Sequence, residues 1–172
     1  AQGNLYELQG YLVAQGLVHA VAHPFHALND QLTPSHFQKL VLLFRHFEAR
    51  NGRFAALLSE TAEFALSRLT PRDVERFVAA TGLEPTHDEP WRKVFLGGSD
   101  DHGGVHAGRA WTETADCSAP AEFLEKVRSG ECAPGGRAGD ALVMAHGTYN
   151  VAFTYAKARF SLRSDDPAIG LV

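Results

Sequence analysis

The stretch Val94-Phe95-Leu96-Gly97-Gly98-Ser99-Asp100-Asp101-His102 sets a short apolar run directly before two glycines, two carboxylates and an imidazole. An apolar run of this kind, bounded by glycine, reads as a buried strand whose carboxyl end opens onto polar groups. Asp100 and His102 stand at i and i+2. In an extended backbone they share a face, so a hard oxygen and a borderline nitrogen can converge on a divalent metal. The competing reading of this spacing is a polar turn with a solvated histidine. The surrounding elements decide which reading gains weight.

Upstream, Leu5, Leu8, Leu12 and Val13 recur at helical spacing until Gly16, and Leu17 to Ala22 is short and apolar, as a buried strand is. His23-Pro24 closes that strand, because proline confines the preceding residue to extended geometry and cannot donate to a ladder. Thr33-Pro34 opens a helix to about Phe44, with threonine as cap and proline in the first turn. His46 to Arg50 alternates polar and apolar before Asn51-Gly52, the pattern of a strand entering a turn. A helix from about Phe54 to Leu66 follows. Thr70-Pro71-Arg72-Asp73 then starts another helix with a capping box in its carboxylate form, ending at Gly82. Beyond His102, Gly108 to Glu113 reads as a strand, Ala119 to Arg128 as a helix, and Gly139 to Phe160 as a longer helix with a break near Gly147. The Gly/Pro-rich piece from Gly130 to Gly139 reads as a flexible loop.

Strands alternating with helices at this spacing predict an α/β fold with a parallel sheet. Ligands of such folds gather beyond the carboxyl ends of strands, and His23, Asn51 and the Asp100/His102 pair all fall just past predicted strand ends. Three polar motifs on one rim favour the metal reading. His19 and His23 are also four apart, the spacing of a helical metal pair, but Pro24 and the strand-like context argue against a helix there. His146 reads as an ordinary helical histidine.

Composition narrows the function classes. The chain has 172 residues, 45% hydrophobic and 21% charged, which suits one folded domain with a substantial core. Sixteen basic against twenty acidic residues leave a net charge of −4, with no basic block longer than a pair. Neither nucleic acid nor an anionic membrane surface is the expected partner. Apolar runs such as Leu40 to Phe44 and Ala141 to Ala145 are far shorter than the ~20 residues of a membrane span. The stretch Ala1-Gln2-Gly3-Asn4 carries neither a basic region nor an apolar signal core, so a cytoplasmic location is expected. Cys117 and Cys132 accordingly read as two free thiols, with a bridge as the alternative.

Ala22-His23-Pro24-Phe25, then Phe47-Glu48-Ala49-Arg50-Asn51-Gly52, then Gly98-Ser99-Asp100-Asp101-His102 together resemble the third and fourth motifs of the PHP (polymerase and histidinol phosphatase) superfamily, with its intervening strand. The resemblance runs from about Asn4 to Glu113. It implies part of a distorted (β/α)7 barrel with parallel strands over 1–115, followed by a helical segment over 116–172, in a single domain. It implies a metal-dependent phosphoesterase that hydrolyses a small phosphorylated substrate with metal-activated water. His23, Asp100 and His102 would each be a ligand in a cluster of up to three divalent ions, zinc, manganese or iron. Asn51 would line the site without being a ligand. Arg109 and His106 would meet substrate phosphate, for which a guanidinium is well suited. Family members open with a His-x-His pair on the first strand, and no His-x-His occurs in this chain. The chain is therefore expected to be the carboxyl-terminal part of a longer protein, with a fused or associated glycosyltransferase as a partner. Two other functions compete: a non-catalytic PHP-like structural or regulatory module, and an amidohydrolase-like enzyme using similar ligands on C–N bonds.

Overall fold

Two helices start on the same device. Thr33 and Thr70 each accept the N–H of the residue three ahead, while His36 and Asp73 reach back to the cap N–H and proline fills the first turn. They open α2 (Pro34–Leu43) and α4 (Pro71–Thr81), the latter closed by Gly82 in left-handed geometry. The structure, a computed structural model, describes residues 4–26 and 32–160. The remaining elements are α1 (Leu5–Ala14), β1 (His46–Asn51), α3 (Ala56–Ser67), β2 (Val94–Gly98), β3 (Ala110–Thr114), α5 (Pro120–Ser129), β4 (Cys132–Gly136) and α6 (Ala141–Arg159).

The fold is mixed α/β with a parallel component. β1 and β2 pair in parallel, in register from His46 opposite Val94 to Asn51 opposite Gly98, with an irregularity between Glu48 and Arg50. The strand expected over Leu17 to Ala22 reduces to one parallel bridge, in which Val21 exchanges hydrogen bonds with His46 and Glu48. Val21, β1 and β2 therefore run side by side in one direction. The core lies beneath them: Val41, Leu43, Phe44, Phe47 and Leu66 are buried together, with Val21, Phe37, Leu69, Phe77 and Phe95 packed around them. Membership is apolar, aromatic or branched at every position, as close packing requires.

Other readings of the sequence change. β3 belongs to no parallel sheet; it pairs antiparallel with β4, which lies in the stretch read as a loop over Gly130 to Gly139. Gly135 and Gly136 sit against the Trp111 ring, where a Cβ would collide, so the lack of side chains that suggested a loop is what lets this strand form. α6 continues through Gly147 without a break. The apolar stripe of α1 is not its buried face: Leu5, Leu8 and Val13 are exposed, and the helix docks through Gln9, whose amide donates to Leu43 O and Thr86 Oγ1. Among the described residues the strands form two two-stranded sheets, and no closed barrel. No helix among them is long and apolar enough to cross a membrane. Cys117 and Cys132 are free thiols.

Candidate functional site

Gly97 and Gly98 are explained by what approaches them. A Cβ on Gly97 would strike the Trp111 carbonyl, because the β3 main chain crosses β2 there and the Thr112 hydroxyl bonds both the N–H and the C=O of Gly97. A Cβ on Gly98 would meet Glu48 Oε1. The bare strand end therefore lets the Glu48 carboxylate lie across β2 and reach the rim beyond it.

Glu48 organises two loops. Its Oε2 accepts the His23 N–H at 2.7 Å and the Asn51 Nδ2 at 2.9 Å. Burial pushes the Glu48 carboxyl upward, against those two hydrogen bonds, which favour the charged form. Asn51 is itself buried and fully used. Its Nδ2 also donates to Asp100 Oδ2 at 3.1 Å, and its Oδ1 accepts the N–H groups of Arg53 and Phe54 at 2.9 and 3.0 Å. One amide thus holds two carboxylates with its donors and the turn into α3 with its acceptor.

The loop after Val21 is a hydrogen-bonded turn with Pro24 at its second position, His26 N–H donating to His23 O at 2.9 Å. His23 does not keep the extended geometry that its proline neighbour predicts. Its φ is +28°, with its N–H held by Glu48. Asp100 is likewise left-handed at φ +49°, so it and His102 meet through a bend and not along an extended strand. The His26 ring stacks on Phe54 with centroids 3.7 Å apart, and His23 meets both rings edge-on. Burial lowers the His26 pKa, and the neighbouring His23 lowers it further.

His102 closes the group. Its Nε2 lies 3.2 Å from Asp100 Oδ1, and Arg53 Nη1 lies 2.9 Å from its Nδ1. A guanidinium only donates, so Nδ1 accepts and the ring proton sits on Nε2, facing Asp100. His23, His26, Arg53, Asp100 and His102 line one cavity of about 380 Å³, completed by Phe54, Met144 and Thr148.

His23, Asp100 and His102, expected as metal ligands, thus lie on one cavity. Asn51 lies under it and orients Asp100. Of the two residues expected to meet substrate phosphate, Arg109 is engaged elsewhere, whereas His106 lines a smaller neighbouring pocket together with Arg53, Asp100 and His102. Arg109 donates to Ala138 O and pairs with Asp140, the N-cap of α6. His106 stacks on His146, with its N–H on Asp101. Glu48, Arg53 and His26 were not singled out from sequence. A Pro-centred turn brings positions 23 and 26 together, and an asparagine before Gly-Arg-Phe bonds the two N–H groups that follow Gly52. Those two signals point to His26 and Arg53, whereas nothing in the sequence marks the course of Glu48 across Gly98. Among the described residues, no group of three or more His, Cys, Asp or Glu side chains is arranged to hold a metal ion. Comparison with protein-family models, with curated proteins and with solved structures gives no match.

Proposed function

We propose that the cleft beyond β1 and β2 is the site of a metal-dependent phosphoesterase, with His23, Asp100 and His102 as donors to a divalent ion and a small phosphate ester as substrate. One observation carries this reading. His23 and Asp100, from different loops, both adopt left-handed backbone on the wall of one cavity. Strain of this kind costs on the order of 1–3 kcal/mol per residue and clusters at functional sites. The finer fold belongs to the same proposal: Val21, β1 and β2 are three adjacent parallel rows, as in one segment of a (β/α)7 wall.

Imidazole and carboxylate are the right donors for zinc or manganese. A divalent ion, when bound, supplies an acidic water and neutralises phosphate charge. The chain's own residues do the positioning. Glu48 fixes the His23 loop through its N–H, and Asn51 holds Asp100 by Oδ2 alone, leaving Oδ1 on the His102 side. His102 can join a metal only if its Nε2 contact with Asp100 opens.

A second reading, a non-catalytic module of the same kind, is favoured by one feature: Arg53 and Asp100 satisfy both nitrogens of His102, and no three-donor group stands ready among the described residues. Metal content after dialysis against zinc or manganese, together with hydrolysis of a chromogenic phosphate ester, separates the two. The enzyme reading expects at least about one ion per chain and a rate that Asp100→Asn lowers about 100-fold or more. A rate unchanged in Asp100→Asn assigns the activity elsewhere, less than about one ion per chain leaves the non-catalytic module, and turnover of amides alone selects the amidohydrolase-like reading.

A further inference from the structure

We infer that Arg53 is the oxyanion-binding residue of this cleft and that the group it takes is the phosphoryl group of a small ester; the inference rests on the phosphoesterase reading for its substrate class but not for its geometry. The Arg53 main chain is locked in place. Its N–H bonds Asn51 Oδ1, and Gly139 packs so closely on it that a Cβ there would overlap the Arg53 carbonyl. The side chain is less committed. Among the described residues its only hydrogen bond is Nη1 to His102, and Nε is buried without a partner. A guanidinium has five N–H donors in a planar fork suited to bidentate contact with phosphate. His102 uses one of these donors and Arg53 lines the cavity, so an anion there can take others.

Asp100 on the cavity wall and Glu48 behind it are acidic, so an anion there depends on Arg53. Arg109 is spent on Ala138 and the α6 cap, so Arg53 is the arginine that faces the 380 Å³ cavity. Phe54 and Met144 supply apolar wall on that cavity, and its volume suits a phosphorylated molecule of sugar size, not a polymer.

The test is binding of inorganic phosphate by titration calorimetry, on the chelator-treated chain and on the zinc-loaded chain. Wild type is expected to bind in both states. Arg53→Gln is expected to weaken binding more than tenfold, and Arg53→Lys to recover part of it, because a lysine keeps the charge but loses the fork. As a readout that needs no variant, phosphate is expected to slow phenylglyoxal modification of wild type at Arg53, followed by peptide mass spectrometry. Affinity within twofold of wild type in Arg53→Gln overturns the inference. So does the absence of phosphate binding up to about 10 mM, or an Arg53 that phosphate does not protect. Arginine-dependent phosphate binding without ester hydrolysis keeps this inference and sinks the phosphoesterase reading. Hydrolysis with kcat/KM unchanged in Arg53→Gln does the reverse.

Discussion

Asn51 shows how one neutral side chain can hold two negative ones. Its donors face Glu48 Oε2 and Asp100 Oδ2 at 2.9 and 3.1 Å, with only 4% of the residue exposed. Asn51→Asp keeps the shape and the turn-capping oxygen but turns the shared donor into a third carboxylate oxygen. Like charges at this spacing and two stranded acceptors are expected to cost about 3 kcal/mol, read from urea denaturation. A loss below about 1 kcal/mol would mean that the carboxylates separate into water and that the network does not hold the rim. The sequence revealed the ends of this arrangement and not its middle. His23, Asn51 and Asp100 follow strand ends and are visible as punctuation, whereas Glu48 sits inside an alternating strand and reads as an outward polar residue. What makes it central is the missing Cβ of Gly98, a contact between residues far apart in the chain.

Elements whose signals are local were legible before the fold was known. The capped starts of α2 and α4, the Gly82 stop and β1 ending at Asn51 all depend on neighbours within a few residues. β4 did not follow from local pattern, because its partner is the Trp111 face of β3. Gly97 tests that long-range packing. Gly97→Ala must push the β3 main chain off β2 and break both Thr112 bonds, whereas Gly98→Ala meets only the end of the Glu48 side chain. Thermal melts are expected to show Gly97→Ala the more destabilised, by about 3 kcal/mol against about 1; equal losses would mean that β3 does not rest on β2. A titratable cluster at the carboxyl end of α2 sets an acid limit. Lys93 Nζ donates to Val41 O and Phe44 O at 2.6 and 2.7 Å and lies 3.2 Å from His87 Nε2. Burial and the Lys93 charge hold His87 down at about 4. The unfolded chain therefore takes up this proton near pH 6.5 and the folded chain only near 4, so stability falls as pH drops through that window. His46, lowered by its own burial, adds to the same limb. His87→Gln is expected to recover on the order of 1 kcal/mol of the loss between pH 7 and 5, allowing for partial exposure. An unchanged acid limb would assign it to His46 instead.

At the scale of the molecule, periodicity named the elements but not their closure. β1 alternates polar with apolar although it pairs in parallel, as β3 does in its antiparallel pair, so alternation did not tell β3 from a further parallel row. The surface is the other whole-molecule feature. α6 buries only Val143 and Gly147 of its described side, while Leu142, Tyr149 and Tyr155 are 64%, 64% and 69% exposed. Exposed apolar side chains grouped on one helix exceed what a solvated face needs. If these side chains meet water in solution, replacing them removes little packing. Leu142→Lys, Tyr149→Glu and Tyr155→Glu are then each expected to change stability by less than about 0.5 kcal/mol. The triple variant is expected to scatter less light at high concentration and to bind less of a hydrophobic fluorescent dye, since fewer apolar contacts are offered to other molecules. A loss of several kcal/mol in any one of them would show the opposite, that α6 is covered in solution, because only buried side chains pay that much on truncation or charging.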